Sequence, residues 1–108
     1  MTKIILTNKM VDRLALITAN NIDSALPRAT KVYAIPRGGI PAALAVIRYS
    51  GGLYLTDDPT EADLFIDDIV DSGYTMKRWC EEYPGRPFFS LIDKTLKNSE
   101  YADRWVVF

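Results

Sequence analysis

Short apolar runs alternate along the chain with longer segments in which apolar residues recur every three or four positions. Apolar runs rich in β-branched and aromatic residues predict strands, and the longer periodic segments predict helices. The predicted strands are residues 3–6, 31–35, 53–56, 64–67, 87–92 and 104–108, and the predicted helices are 8–22, 41–50 and 74–83. We therefore expect an α/β fold.

Residues that start or stop helices mark most of the predicted boundaries. Asn8 is placed to cap the first helix, and Pro41 falls in the first turn of the second. Gly51 and Gly52 follow the second helix, and Pro84 ends the third. These signals divide the chain into strand–helix units.

Strands that alternate with helices predict a mainly parallel sheet with helices on both faces. No linker or internal repeat divides the sequence, so we expect one domain over residues 1–108. Two unusual segments, PRGG at 36–39 and DDIVDSGYT at 67–75, come directly after predicted strands. Because ligands bind at the carboxyl ends of parallel strands, both segments are expected at one edge of the sheet.

The composition excludes several kinds of chemistry. The 108 residues include one cysteine and no histidine, so an internal disulfide, a cysteine-rich zinc site and any histidine-dependent triad are ruled out. Acid–base chemistry must come from Asp, Glu, Lys or Tyr. A net charge of −1 gives no sign of a nucleic-acid or membrane partner. No signal-peptide pattern is present, and the expected location is cytoplasmic.

The stretch FIDDIVDSGYT, residues 65–75, brings three carboxylates together. Between a strand and a helix, the backbone N–H groups of residues 71–75 can bind a phosphate. Asp67 and Asp68 offer acceptors for a vicinal diol or for hydrated Mg²⁺. A sugar phosphate carries both a phosphate and a vicinal diol, so it could bind to this stretch. The structural alternative is a capped turn between a strand and a helix, with solvated acids.

The positions of the acidic residues exclude two other functional classes. A haloacid-dehalogenase-type phosphatase requires Asp-x-Asp after a strand, whereas the spacings here are Asp-Asp and Asp-x-x-Asp. A response-regulator receiver carries paired acids after its first strand, and here the first strands end at Thr7 and Pro36.

FIDDIVDSGYT resembles the ribose-phosphate-binding motif of the type I phosphoribosyltransferases and fills every position of it. YAIPRGGIPAALAV is similar to the pyrophosphate-binding loop of the same family, and the two motifs occur in the family's order. The resemblance implies a single-domain type I phosphoribosyltransferase fold with a mainly parallel central sheet flanked by helices. It also implies a cis peptide that does not involve a proline nitrogen in the first loop.

The later part of the chain is similar to the purine-binding end of the xanthine-guanine and hypoxanthine-guanine enzymes. The matching segments are EEYPGRPFFSLIDKT and ADRWVV. The resemblance implies transfer of phosphoribosyl from phosphoribosyl pyrophosphate to guanine, xanthine or hypoxanthine with Mg²⁺, and it leaves the choice of base open.

The resemblance assigns roles residue by residue. Asp67 and Asp68 would hold the ribose hydroxyls and the metal, and Asp71 would be the proton acceptor near the purine. The phosphate would be held by Ser72, Gly73, Tyr74 and Thr75; the pyrophosphate by Arg37, Gly38 and Gly39; and the base by Lys94, Trp105 and Val106.

Some of these residues also have a purely structural interpretation. Lys94 could be a solvated lysine after a strand, and Trp105 could be core. Trp79 and Cys80 are expected to pack, and the acids of the 57–61 segment to be solvated.

The chain departs from the family in two places. Only LTDDPTEAD separates Tyr54 from Leu64, where relatives carry a long flexible loop over the site, and relatives continue beyond Phe108 with more of the base-binding region. The alternative function is therefore a noncatalytic, regulatory module that binds phosphoribosyl pyrophosphate or a purine nucleotide. Exposed sheet edges in a small domain favour a homodimer or higher homo-oligomer.

Overall fold

The computed structural model describes residues 2–96, 99 and 104–107. Strands and helices alternate as the hydrophobic pattern predicts. The strands are β1 Thr2–Ile5, β2 Lys31–Ala34, β3 Tyr54–Leu55, β4 Leu64–Val70, β5 Phe88–Asp93 and β6 Arg104–Val107. The helices are α1 Asn8–Ala25, α2 Gly39–Tyr49 and α3 Tyr74–Glu82, with a short 3₁₀ helix at Pro59–Glu61.

Four strands form an all-parallel sheet in the order β3-β2-β4-β5. The central strand β4 pairs with β2 through Phe65 opposite Tyr33, and with β5 through Asp67 opposite Ser90. β1 and β6 pair in parallel as a separate two-stranded sheet. The α/β class and the parallel sheet are confirmed; the separation of β1 and β6 is a feature that the pattern did not predict.

Each face of the four-stranded sheet has its own core. Alternate strand residues, among them Val32, Leu64 and Ile66, are fully buried in one cluster with α1 and α2. The residues between them contribute to a second cluster, which contains Phe65, Trp79 of α3 and Tyr83 directly after that helix. The alternation of strand side chains thus places helices on both faces, as expected. The packing interpretation of Trp79 is confirmed.

Several boundaries differ from the predicted ones, and three of the differences concern helix starts or the site. The cap of α1 is Thr7, whose hydroxyl oxygen accepts from the Met10 N–H at 3.2 Å, so the assignment to Asn8 was wrong. α2 begins at Gly39, before Pro41. β4 continues to Val70, beyond its predicted end at Asp67, so both Asp67 and Asp68 lie within the strand.

The segment that connects β3 to β4, residues 56–63, crosses back along the sheet and is tied down. Asp58 caps the 3₁₀ helix by accepting from the Thr60 N–H at 2.9 Å. Arg86 donates to the carbonyl oxygens of Thr60 at 2.7 Å and Ala62 at 3.2 Å. Ala62 is buried in the core. This segment therefore serves as the crossover, which agrees with the expectation that no long loop emerges here.

Among the described residues, no helix is both long and apolar enough to cross a membrane.

Candidate functional site

The PRGG segment forms the junction between β2 and α2. The Ile35 N–H donates to the Ile66 carbonyl at 2.9 Å, which continues the pairing with β4, and the Gly39 N–H donates back to the Ile35 carbonyl at 2.9 Å. The peptide bond between Pro36 and Arg37 is cis. The loop therefore begins on a fixed strand and ends on a fixed helix, and it exposes Arg37.

Both glycines of this loop lie directly against β4. A Cβ at Gly39 would be 2.6 Å from the Ile66 carbonyl oxygen and 3.3 Å from the Asp67 Cα. A Cβ at Gly38 would be 2.8 Å from the Asp68 Cγ. Only glycine permits these approaches without displacement of β4 or of the Asp68 carboxylate. The first loop and the paired acids are consequently parts of one site.

The paired acids of β4 differ in environment. Asp67 is buried, with 8% of its surface exposed, whereas Asp68 is half-buried. One oxygen of Asp67 accepts from the Asp68 N–H at 2.8 Å, and one of Asp68 accepts from the Ile69 N–H at 2.7 Å. Burial raises the pKa of Asp67 to about 7, and the side-chain hydrogen bond and negative charge of Asp68 act in the same direction, whereas the hydrogen bond from the Asp68 N–H opposes them. Asp67 is thus partly protonated near neutral pH.

The second loop leads from β4 into α3. Gly73 has a φ of +87° and precedes the first helical residue, a conformation that favours glycine. The Ser72 hydroxyl accepts from the Tyr74 N–H at 3.3 Å. Residues 69–76 and Asp67 line a cavity of about 80 Å³. The first N–H groups of α3 have no acceptor within the helix, so the cavity is suited to a phosphate-sized anion.

Lys94 and Asp71 form an ion pair above the ends of β4 and β5. The Lys94 Nζ lies 2.8 Å from the Asp71 Oδ1, and the Lys94 N–H donates to the Val70 carbonyl at 2.8 Å. The Lys94 side chain is only 8% exposed, whereas that of Asp71 is 69% exposed. The interpretation of Lys94 as a solvated lysine was therefore wrong.

This arrangement of strands, helices and loops occurs in known proteins. No family profile matches the chain, and no curated protein matches its sequence. Among solved structures, the chain is similar to a purine phosphoribosyltransferase from Pyrococcus horikoshii, with a TM-score of 0.68 and 18% identity, covering 100% of this chain and 93% of that one. A hypoxanthine-guanine phosphoribosyltransferase from Bacillus anthracis gives 0.65 and 16%, with coverage of 100% and 82%.

The chain has the phosphoribosyltransferase fold. A protein from Neisseria gonorrhoeae with bound ppGpp is also similar, with a TM-score of 0.68, 18% identity, and coverage of 97% of this chain and 86% of that one. The type I fold implied by the two motifs is therefore confirmed at the level of architecture.

Within this phosphoribosyltransferase fold, the residues from both motifs meet at the carboxyl ends of β2 and β4. Gly38 faces Asp68, and Asp67 lines the cavity of the second loop. Asp71 contacts Lys94, which directly follows β5. Tyr74 is 72% exposed, beside the cavity.

The two base-binding residues predicted from the end of the chain lie on β6. The backbone of Trp105 pairs with Lys3, and that of Val106 with Ile4, in the two-stranded sheet. Val106 is half-buried. The side chain of Trp105 lies outside the described parts of the structure, so its predicted contact with a base stays a prediction.

The carboxylates of Asp67 and Asp68 provide the donor oxygens to which Mg²⁺ could bind. Each carboxylate has one oxygen engaged by a backbone N–H and a second oxygen that makes no such bond. No cluster of three or more acidic, cysteine or histidine side chains suited to a metal exists among the described residues. Two carboxylates fit an ion that keeps several waters and shares phosphate ligands, which is the usual mode of Mg²⁺, rather than an all-protein cage.

The turn after β5 contributes to the site and was not identified from the sequence. Asp93 accepts from the Thr95 N–H at 2.9 Å, and the Thr95 methyl carbon lies 3.8 Å from the position of a Cβ at Gly73. This turn holds Lys94 against the second loop. An Asp two residues before a Thr is a turn signal that would have indicated it.

Proposed function

We propose that this protein transfers a 5-phosphoribosyl group from phosphoribosyl pyrophosphate to a 6-oxopurine base, giving the nucleoside monophosphate and pyrophosphate. The observation that supports this most is the convergence of an anion-binding loop, paired acids and a phosphate-sized cavity at one edge of a parallel sheet. The named activities of proteins with similar structures are consistent with the proposal.

The sugar phosphate fits the second loop and the paired acids. In this proposal the backbone and hydroxyl groups of Ser72, Gly73, Tyr74 and Thr75 bind the 5′-phosphate in the 80 Å³ cavity. Asp67 lines the same cavity, so the ribose hydroxyls lie within reach of its carboxyl group and that of Asp68.

The pyrophosphate fits the first loop. The N–H groups of Arg37 and Gly38 have no acceptor in the described part of the chain, and the Arg37 side chain is exposed. Gly38 lies against Asp68, so pyrophosphate bound here is next to the paired acids. Mg²⁺ bound with these acids would neutralise phosphate charge as the pyrophosphate leaves.

The purine is assigned to the space next to Asp71 and Lys94. A 6-oxopurine has a carbonyl oxygen that accepts from the Lys94 ammonium, and a ring N–H that donates to Asp71. Asp71 would receive that proton, and the backbone of Val106 with Trp105 would contribute to the base site from β6.

The reaction requires positioning more than a nucleophilic side chain. The C1 carbon of the sugar becomes positively charged as pyrophosphate departs, and nearby carboxylates and a fixed base nitrogen stabilise it. A chain without histidine can perform this chemistry with Asp71 as the proton acceptor.

The decisive experiment measures pyrophosphate release from phosphoribosyl pyrophosphate and Mg²⁺ across a panel of nucleobases. We expect release with guanine, xanthine or hypoxanthine and none with pyrimidines. An Asp71→Asn variant is expected to lose turnover while nucleotide affinity changes by about 1–2 kcal/mol. Asp57→Asn, an exposed acid outside the site, is the matched control.

The outcomes separate the two functions. Thermal stabilisation by phosphoribosyl pyrophosphate without release for any base would identify the noncatalytic binding module. If no release occurs and neither phosphoribosyl pyrophosphate nor a purine nucleotide stabilises the protein, both functions are excluded.

A further inference from the structure

The ion pair between Lys94 and Asp71 is asymmetric in its exposure to water. The ammonium belongs to a side chain that is 8% exposed, and the carboxylate to one that is 69% exposed. The Lys94 backbone is fixed by its hydrogen bond to Val70, and the following turn is fixed by Asp93. The lysine is therefore anchored beneath a carboxylate that solvent reaches freely.

Asp71 also lines the cavity that is assigned to the 5′-phosphate. A sugar phosphate held there places its reactive carbon on the same side of the sheet as an accessible carboxylate. Arg86 holds the connection between β3 and β4 through the Thr60 and Ala62 carbonyls, and 69% of the Asp71 side chain is exposed. Water can therefore reach Asp71 while the sugar is bound, and water competes with the purine as the acceptor of the phosphoribosyl group.

We propose that Lys94 determines the choice of acceptor: as long as no purine is bound, it pairs with Asp71 and prevents that carboxylate from activating water. This inference rests on the proposed function and concerns its specificity. A water beside the ion pair meets a carboxylate whose charge is already balanced by an ammonium 2.8 Å away. An unpaired carboxylate would instead take a proton from that water.

The suppressed side reaction is hydrolysis of phosphoribosyl pyrophosphate. The water oxygen forms a bond to C1 of the sugar as the bond between C1 and the pyrophosphate oxygen breaks. The bonding electron pair leaves with pyrophosphate, and the proton from water goes to Asp71. The products are ribose 5-phosphate and pyrophosphate, and no oxidant or further reactant is involved.

A purine can open the pair where water cannot. Its rigid ring offers a carbonyl oxygen to the Lys94 ammonium and, separately, an N–H to Asp71, so both charged groups keep a partner when they separate. A single water molecule offers only one oxygen. If that water replaced Asp71 beside Lys94, the buried ammonium would lose its anionic partner. The pair is thus released by the intended acceptor.

The test compares phosphoribosyl pyrophosphate hydrolysis without a base in the native protein and in Lys94→Met. Methionine has a similar length and suits the buried position, and the exposed Asp71 remains hydrated. We expect ribose 5-phosphate formation to rise about tenfold or more in Lys94→Met, and transfer to the purine to fall. Lys77→Met removes an exposed lysine that pairs with Glu81 at 4.0 Å, and it should leave hydrolysis at the native level.

A double variant shows whether Asp71 performs the hydrolysis. Lys94→Met with Asp71→Asn should return hydrolysis to the native level or below, and it leaves no buried ammonium unpaired. Lys94→Arg, which retains a cation, should keep hydrolysis low. The inference is overturned if Lys94→Met hydrolyses no faster than the native protein, or if its hydrolysis persists without Asp71.

The same data distinguish this inference from the proposed function. Native transfer to a purine with unchanged hydrolysis in Lys94→Met refutes the inference alone. Absence of native transfer with any base, together with Asp71-dependent hydrolysis in Lys94→Met, refutes the proposed function and retains the role of the ion pair.

Discussion

Gly39 and Asp67 show how closely single residues in this site depend on their neighbours. The N-terminus of α2 lies so close to β4 that a Cβ at Gly39 would be 2.6 Å from the Ile66 carbonyl oxygen. Directly after that carbonyl, the buried carboxyl of Asp67 is held without a cationic partner among the described ion pairs. The close approach of Gly39 and the burial of Asp67 position the first loop and the carboxyl group at the candidate site. Both are expected to affect the stability of the protein measurably.

Gly39→Ala should destabilise the protein by about 1–3 kcal/mol, because the added methyl group would overlap a backbone oxygen that cannot move independently of the sheet. Urea unfolding measures this change. Gly52→Ala is the matched control, since a Cβ there meets nothing within 4 Å, and it should change stability by no more than about 0.5 kcal/mol. Equal effects of the two substitutions would refute the close approach.

The pH dependence of unfolding should report on Asp67. Its pKa is about 7 in the folded state and near 3.8 otherwise, so the folded state binds the proton more tightly. Stability from this group is complete below about pH 4 and decreases as the pH rises through 7. We expect a decrease on the order of 1–3 kcal/mol across that window in urea titrations.

Asp67→Asn should flatten the curve between pH 4 and 7, because an amide has no proton to lose. Asp63 behaves in the opposite way: hydrogen bonds from the Lys31 and Thr30 N–H groups lower its pKa, so its contribution is lost only at more acidic pH. An unchanged slope in Asp67→Asn would assign the pH dependence to other groups.

At the level of secondary-structure elements, local sequence patterns predicted whether a segment is a helix or a strand, but not the residues at which it begins and ends. Periodicity identified α1 and the alternation of strands with helices, because burial on one face imposes it. The extension of β4 beyond Asp67 was missed, because acids disfavour strands locally and only the pairing with β5, which continues to Val70, holds this part of the strand. The cap of α1 was misassigned by one residue, since Thr7 and Asn8 both favour that position.

Thr7→Ala should cost about 1 kcal/mol of stability, because the Met10 N–H loses its acceptor. Asn8→Ala, in the first turn of the same helix, should change stability by less than about 0.5 kcal/mol. Thermal unfolding of the two variants measures both effects. A larger loss for Asn8→Ala would contradict the observed cap.

At the level of the whole molecule, the sequence predicted both loops and their common edge, because a parallel sheet brings strand ends together. It did not predict that Lys94 is buried or paired with Asp71. Those two residues are separated by a helix and a strand, and no local pattern reports their contact. The pairing of β1 with β6, which joins the two ends of the chain, was beyond prediction for the same reason.

Phosphoribosyl pyrophosphate with Mg²⁺ should stabilise the whole fold. At about 100 times its dissociation constant, a ligand that binds only the folded state adds about 2.7 kcal/mol. For a domain of this size, that predicts a rise in Tm of roughly 10 °C or more. Inorganic phosphate at equal concentration is the control, and it should give a smaller shift because it occupies only the cavity of the second loop. Equal shifts would argue against joint use of both loops.

The position of Asp67 and Asp68 inside β4 has a consequence for hydrogen exchange. β4 is paired with β2 as far as Ile66 and with β5 as far as Val70. Its paired amides should therefore exchange only in the largest opening events of the protein, whereas those of residues 37–38 and 71–73 should exchange freely. Ligand binding would then slow exchange in the two loops far more than in β4. The acids that meet the sugar would thus directly follow the least mobile part of the molecule, with most of the motion confined to the groups that meet the phosphates.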